Sequence, residues 1–245
     1  MKLLKKAIKQ LTHSIGLEVS RYEPSVSRTA QLKRLLQLHH INLVFDIGAN
    51  FGQYARSLRV AGYNGKMVSF EPLLAAHTAL CAASKMDSDW EIAPRAAIGA
   101  EDGEIEINVA ANSLSSSVLE MLNTHLAAAP ESRYVDKELV PIRRLDSLAK
   151  KYLSPKVRLF IKIDVQGYEE RVLEGAKNIL PYVTGLQLEL SLTPLYSGQP
   201  DFLGMLEWLE AKGFDLYALF PEFIDPNTGR TLQVDGLFFR TKPNI

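Results

Sequence analysis

Residues 44–52, Val-Phe-Asp-Ile-Gly-Ala-Asn-Phe-Gly, constrain the fold of this chain more than any other stretch. They begin as an apolar run, which is typical of a strand buried on both faces of a parallel sheet. The run passes through Asp46 into a loop that contains Gly48 and Gly52, and a helical pattern follows. A strand that enters a helix through glycines leaves backbone N–H groups open to a ligand. The stretch therefore predicts a parallel α/β sheet with a ligand site at this strand end.

From residue 43 onward, short β-rich runs alternate with longer helical patterns, which indicates a doubly wound, mostly parallel α/β sheet. The strands are predicted at residues 43–47, 66–70, 91–98, 158–164 and 185–190. The helices are predicted at residues 50–60, 73–85, 168–180 and 202–212. Glycine or proline follows several of these helical patterns, as expected of helix ends.

Two further regions depart from this alternation. We predict an inserted hairpin and lid at about residues 103–145, because an alternating strand pattern there is followed by a polar segment of small residues and a second strand pattern. At the C-terminus, strand patterns at 214–220 and 236–240 flank a segment dense in turn-forming residues, 225–229. They predict an antiparallel edge of the main sheet.

Residues 1–40 are predicted to form a helical extension ahead of the domain at 41–245. Residues 1–15 place apolar side chains on one helical face and lysines on the other. The apolar positions are Leu3, Leu4, Ala7, Ile8, Leu11 and Ile15, and the basic ones are Lys2, Lys5, Lys6 and Lys9. Such a helix either packs on the domain or on a partner subunit, or it binds an anionic membrane surface reversibly.

The overall composition excludes several classes of protein. The chain carries 28 basic and 28 acidic residues, so no global positive charge favours nucleic-acid binding. It has no apolar run of the roughly 18 to 20 residues that a membrane-spanning helix needs, and no secretory signal pattern. The single cysteine, Cys81, fits a reducing compartment. We expect a cytoplasmic protein, with peripheral membrane contact open through the basic helix.

The glycine loop does not fit the common phosphate-binding motifs. The dinucleotide fingerprint needs glycines at positions 50 and 53, where this chain has Asn50 and Gln53. A P-loop needs Lys-Ser/Thr after its last glycine, and Gly52 is followed by Gln53 and Tyr54. A Gly-x-x-x-Gly loop at a helix N-terminus instead suits the amino-acid tail of S-adenosylmethionine, with Asp46 near its ammonium and sulfonium groups.

Acidic residues at two other strand ends complete the predicted site. Glu71, followed by Pro72, ends the second strand, where its carboxylate would accept hydrogen bonds from ribose hydroxyls. Asp164 ends a later apolar strand that also contains Lys162, and it would face the same cleft. The alternatives are structural: Asp46 and Asp164 as helix-capping or turn acids, and Glu71 as an exposed acid before a helix.

The order and spacing of these motifs resemble the FkbM family of S-adenosylmethionine-dependent methyltransferases, over about residues 43–240. The matching segments are 45–54, 70–72, 115–117, 145–148, 161–167 and 169–176. The resemblance implies a class I, Rossmann-like fold and cofactor contacts at Asp46, Gly48, Asn50, Gly52, Glu71 and Asp164. Ala49, Gln53, Pro72 and Ala97 are predicted as further cofactor contacts. The family typically has glutamate where this chain has Gln166.

The resemblance further implies transfer of a methyl group to a hydroxyl oxygen. The acceptor is expected to be a sugar of a surface glycan or its precursor, with a polyketide-like natural product or a non-catalytic cofactor-binding or scaffold protein as alternatives. The predicted catalytic residues are Asp164, Glu169, Glu189 and His125. The predicted acceptor contacts are Ser116, Ser117 and Tyr196. No metal site is predicted, and a homo-oligomer remains open.

Overall fold

The computed structural model describes residues 10–17, 19 and 21–240. The strands are β1 Leu43–Ile47, β2 Lys66–Phe70, β3 Trp90–Ile92, β4 Ala97–Ile98, β5 Gly103–Ala110, β6 Tyr134–Arg143, β7 Leu159–Ile163, β8 Val183–Ser191, β9 Asp215–Ile224 and β10 Thr231–Phe239. From residue 21 onward, the α-helices are α1 Arg28–Leu38, α2 Gln53–Val60, α3 Leu74–Ser84, α4 Asn123–Ala128, α5 Leu145–Ala149, α6 Glu169–Glu174 and α7 Phe202–Ala211.

The main sheet has seven strands in the order β3-β2-β1-β7-β8-β10-β9. The first five are parallel to one another, while β10 is antiparallel to both β8 and β9. The predicted doubly wound sheet with an antiparallel C-terminal edge is thus confirmed. The strand order reverses between β1 and β7, and ligands bind beyond the carboxyl ends of parallel strands at such a switch point.

Alternate side chains of the central strands face two helical layers. Phe45 and Ile161 belong to a core shared with α5, α6 and α7, whereas Val44 and Phe160 belong to a core shared with α1, α2 and α3. All four are 0 or 1% exposed. A strand covered on both faces is apolar at nearly every position, which explains why these strands appear in the sequence as continuous apolar runs.

A second sheet of three strands, in the order β4-β6-β5, contains the antiparallel pair β5 and β6. It corrects the prediction of one strand at residues 91–98, because β3 belongs to the main sheet and β4 to the second. Pro94 lies between the two strands and has no N–H to donate to a ladder. Ile107 and Ile142 of the second sheet pack against Leu73 at the start of α3.

All four predicted helices are shorter than expected, and two of them differ by more than their end residues. The helix expected at 50–60 begins at Gln53, because Asn50 and Gly52 adopt left-handed backbone angles (φ 46° and 80°). The helix expected at 168–180 is Glu169–Glu174. A Cβ at the following Gly175 would overlap the backbone oxygen of Gly99, so the chain turns where only glycine fits.

The predicted amphipathic helix falls partly outside the described residues, since residues 1–9 are not among them. Residues 10–14 are helical, and the helix ends at Gly16 (φ 76°), where the N–H of Leu17 donates to the carbonyl of Thr12 at 2.8 Å. Leu11 and Ile15 are 68% and 66% exposed. Within the described ranges, no helix combines the length and apolar character needed to cross a bilayer.

Candidate active site

A cavity that is partly open to solvent lies at the carboxyl ends of β1, β2 and β7. The loop after β1 supplies Gly48 and Asn50 to its wall, and β2 supplies Glu71 just beyond its last residue. The loop at 113–118, between β5 and β6, forms part of the opposite wall, and Asp164 and Gln166 follow β7. The structure therefore brings together segments that are distant in sequence.

The loop after β1 is held close to its neighbours by backbone contacts. The N–H groups of Gly48 and Ala49 both donate to the carbonyl of Phe70, at 3.1 and 3.0 Å. A Cβ on Gly48, whose φ is 77°, would overlap the backbone oxygen of Asp164. Glycine is required here by both the backbone angle and the lack of space.

Asn50 and the start of α2 present unused polar groups. Oδ1 of Asn50 is buried and has no hydrogen-bond partner in the described part of the chain. No side chain caps the N-terminus of α2, whose N-cap residue is Gly52. The first N–H groups of a helix carry a partial positive charge, so this end can receive a carboxylate.

Glu71 is 4% exposed and accepts two backbone hydrogen bonds. Its Oε2 accepts from the N–H of Asn50 at 2.8 Å and its Oε1 from the N–H of Leu73 at 2.9 Å. Burial raises the pKa of this carboxyl to about 7, because the backbone donors offset only part of the desolvation. Each oxygen keeps a lone pair that can accept a hydroxyl.

Asp46 does not line the cavity. It is fully buried in a row of polar residues that are register partners on adjacent strands: Ser69, Asp46, Lys162 and Gln187. Lys162 Nζ lies 3.4 Å from Asp46 Oδ1 and 3.2 Å from Asp164 Oδ2. Burial lowers the pKa of Lys162, but the two carboxylates outweigh it and raise the pKa above its ordinary value.

Gln166 bridges two carboxylates, that of Asp164, which follows β7, and that of Glu189, which lies in β8. Its Nε2 donates to Asp164 Oδ1 at 2.8 Å and to Glu189 Oε2 at 2.7 Å. Its Oε1 accepts from the hydroxyl of Tyr196 at 2.6 Å. Burial, followed by the charges of Asp164 and Glu169, raises the pKa of Glu189 well above its ordinary value. A neutral amide with two N–H groups fits between two carboxylates without adding a third negative charge.

Glu169 and His125 do not face the cavity. Oε1 of Glu169 accepts from the N–H groups of Val165 and Gly167 at 3.1 and 3.2 Å, and burial raises its pKa to about 7. His125, which is predicted to be catalytic and lies within the predicted lid, is 3% exposed. Its ring lies 5.3 Å from that of Tyr196, and burial lowers its pKa to about 4.

The predicted acceptor contacts have structural partners. Ser117 Oγ donates to the carbonyl of Gln166 at 2.7 Å, and Ser116 Oγ to that of Ser113 at 2.8 Å, although both serines line the cavity. Tyr196 is 1% exposed and presents no ring face to the cavity. These side chains fix the loop and the amide of Gln166 in place.

The other predicted cofactor contacts divide in the same way. Gln53, Pro72 and Ala97 line the cavity, whereas Ala49 and Gly52 are not among its lining residues. The sequence interpretation missed apolar lining residues, among them Leu73, Ile98, Ile107, Val118, Val165 and Tyr168. For Ile107 a signal existed, because the alternation in residues 103–109 already placed it on an apolar face.

The cavity fits an adenosyl cofactor. Its apolar wall suits an adenine ring, Glu71 suits a ribose diol, and the orphaned Oδ1 of Asn50 suits an ammonium or hydroxyl donor. The uncapped N-terminus of α2 suits a carboxylate. No cluster of three or more metal-ligating side chains occurs among residues 10–17, 19 and 21–240.

A family profile described as Methyltransferase FkbM domain matches residues 46–216, which is more than two thirds of the chain. No curated protein sequence matches the chain.

Similar solved structures include a putative O-methyltransferase from Klebsiella pneumoniae, at 10% identity over 97% of this chain and 89% of that chain, with a TM-score of 0.49. An rRNA methylase from Streptococcus thermophilus is 11% identical over 92% of this chain and 100% of that chain, with a TM-score of 0.46. A putative RNA methyltransferase from Pyrococcus horikoshii is 10% identical over 89% and 83%, with a TM-score of 0.46. All three TM-scores are below 0.5, so the family profile alone bears on identity.

Proposed function

Since this chain belongs to the FkbM family and is an S-adenosylmethionine-dependent methyltransferase, we propose that its acceptor is a hydroxyl group, on a sugar of a surface glycan or its precursor. The observation that carries the proposal is the pair Asp164 and Glu189, bridged by the amide of Gln166; Asp164 and Gln166 line the cavity, and Glu189 lies directly behind them. Both carboxylates are partly exposed, so a hydroxyl can reach them.

The charge of this edge favours a neutral, hydroxyl-rich acceptor. Asp235 of β10 is the register partner of Glu189, and Arg28 pairs with both Asp235 and Glu222 of β9, so Asp164 and Glu189 remain the carboxylates without an arginine partner. Carboxylates accept hydrogen bonds from sugar hydroxyls and repel phosphate-rich polymers. Phe220 and Phe223 of β9 are only partly buried and offer apolar faces for a sugar ring.

The chain supplies a base and its orientation. When bound, S-adenosylmethionine supplies an electrophilic methyl group on a sulfonium. Glu189, whose pKa is raised by burial, accepts the proton of the acceptor hydroxyl as the new oxygen–carbon bond forms. Gln166 holds Glu189 and Asp164 at fixed positions, and Lys162 pairs with Asp164 from the other side. Glu169 holds the 165–167 turn rather than moving a proton.

The experiment is a transfer assay with methyl-labelled cofactor and purified protein. The acceptor panel contains nucleotide-linked sugars, lipid-linked glycans and polyketide-like aglycones, with the product mass and the methylated position determined for each. We expect label on a sugar oxygen, lost in Glu189→Gln and kept in Glu170→Gln, a change at an exposed glutamate of α6. Label on aglycones alone would overturn the sugar assignment.

A non-catalytic scaffold is the second candidate, since the family's usual glutamate is replaced by Gln166. Calorimetry with S-adenosylmethionine and S-adenosylhomocysteine separates the two. Binding of both ligands, together with turnover, supports the enzyme. Failure of both to bind would favour the scaffold.

A further inference from the structure

The N-terminal segment, defined as residues 1–26, carries apolar side chains that the folded domain leaves uncovered. Among its described residues, Leu11, Ile15, Leu17, Tyr22 and Val26 are each more than half exposed. Leu11 and Ile15 are four residues apart and lie on the same side of the helical turn that ends at Gly16. The sequence continues this spacing backward to Ile8 and Leu4. An apolar stripe of this kind requires a partner surface.

The charge of the segment identifies that partner. Residues 1–17 contain four lysines, at positions 2, 5, 6 and 9, and no acidic residue. The whole chain has 28 basic and 28 acidic residues, so residues 18–245 have 24 basic against 28 acidic residues, a net charge of −4. The sequence thus concentrates positive charge in the same segment as the apolar spacing. An apolar stripe bordered by lysines is the composition of helices that lie in the headgroup region of anionic bilayers.

We propose that the N-terminal segment binds the surface of a bilayer containing anionic lipids. The segment joins α1 at Arg28, which pairs with Glu222 of β9 and Asp235 of β10. Asp235 is the register partner of Glu189. The segment therefore joins the domain close to the edge that carries the carboxylates.

This geometry narrows the acceptor class, a step that rests on the proposed function. An enzyme held at a bilayer meets hydroxyls of lipid-linked sugars more often than those of soluble sugars, because both reactants are confined to one surface. Binding to the bilayer depends only on the N-terminal segment, so it can be disproved without affecting the proposed acceptor, and the acceptor can be disproved without affecting bilayer binding.

The experiment is flotation of the full chain with vesicles of phosphatidylcholine, with or without 30 mol% phosphatidylglycerol. We expect at least about a fivefold larger bound fraction on the anionic vesicles, most of it lost in 0.5 M salt. Leu11→Asp with Ile15→Asp should abolish flotation. Val60→Asp is the matched control, since Val60 is a 91% exposed apolar residue at the end of α2.

A second pair of variants tests the charge. Lys5→Glu with Lys6→Glu should remove the preference for anionic vesicles, whereas Lys85→Glu with Lys177→Glu, at exposed lysines of the domain, should keep it. Light scattering without vesicles measures the oligomeric state. Equal flotation of all variants, or a dimer that the Leu11 and Ile15 changes dissociate while vesicles bind nothing, would overturn the proposal. Calorimetry with the cofactor should be unchanged in all four variants.

Discussion

The two halves of the candidate site, one for the cofactor and one for the acceptor, are built by different means. The cofactor half, Gly48, Asn50 and Glu71, lies within 24 residues of sequence and is held by backbone N–H groups and left-handed turns. The acceptor half, Asp164, Gln166, Glu189 and Tyr196, is held by hydrogen bonds between side chains. Substitutions in the cofactor half should therefore act on folding and binding, and those in the acceptor half on turnover.

The largest effect is expected for Gly48→Ala. The new methyl group would overlap the backbone oxygen of Asp164, and the left-handed backbone adds strain, so the free energy of unfolding should fall by about 3–5 kcal/mol. Gly198→Ala is the control, because Gly198 also has a positive φ but no atom within 4 Å of the added Cβ; it should cost about 1 kcal/mol. Urea denaturation measures both. An equal loss of unfolding free energy in the two variants would show that the close contact between Gly48 and Asp164 does not limit packing between the halves.

Glu189→Gln should lower kcat by about 10²- to 10⁴-fold, because the proton acceptor is lost. Asp164→Asn should also lower kcat. Cofactor affinity should change by less than about threefold in Glu189→Gln, since Glu189 does not line the cavity. Single-turnover rates and calorimetry give the two quantities. If Glu189→Gln binds the cofactor more weakly and turns over normally, Glu189 does not belong to a separate acceptor half.

The affinity for S-adenosylmethionine should depend on the protonation of Glu71, whose pKa is about 7. The ionised carboxylate is the better acceptor for ribose hydroxyls, so the affinity should fall by up to about tenfold per pH unit below pH 7. Calorimetry across pH 5.5–8.5 measures this. Glu71→Gln should bind S-adenosylmethionine more weakly at pH 8, and its affinity should depend less on pH. If the affinity of this variant depends on pH as steeply as that of the unchanged protein, a group other than Glu71 causes the dependence.

Glu169→Gln should raise stability at pH 8 by about 1–3 kcal/mol. Burial raises the pKa of Glu169 from 4.5 to about 7, so its stabilising contribution is complete below pH 4.5 and is lost as the pH rises through 7. Glutamine mimics the neutral form and keeps the oxygen that accepts from Val165 and Gly167. Denaturation at pH 5 and pH 8 tests this. A kcat reduced more than about tenfold would instead make Glu169 catalytic.

The smallest effect is expected for Gln166→Glu, which restores the family's usual residue. A third carboxylate beside Asp164 and Glu189 raises the pKa of Glu189 further, so less of this base is ionised; kcat should fall about threefold at pH 8 and the pH optimum should move upward. Gln166→Leu is the comparison, because it removes both donors. If the pH optimum stays in place in Gln166→Glu, the amide does not set the charge of the acceptor half.

The sequence predicted the main sheet and most of the cofactor half, because those depend on strand periodicity and on glycines near in sequence. It misplaced the side chain of Asp46, since a strand residue before a glycine loop can face either the ligand or the neighbouring strand. Only the register of β1 with β7 decides this, by setting Lys162 beside Asp46.

The acceptor half was less predictable for a related reason. Gln166 is flanked by Asp164, Glu189 and Tyr196, which are up to 30 residues away, and no local pattern reports such contacts. The burial of His125 depends on Phe223, almost one hundred residues later. Side-chain networks of this range become visible only in three dimensions.

The pairing of β1 with β7 has a consequence for synthesis of the protein. Residues 48–158 lie between these adjacent strands, so closing the pair orders a very long loop. During synthesis, β1 has one unpaired edge until β7 has left the ribosome, and Asp164 and Gln166 emerge only after β7. Cofactor capture therefore comes late, and it stabilises only chains whose distant segments have already met.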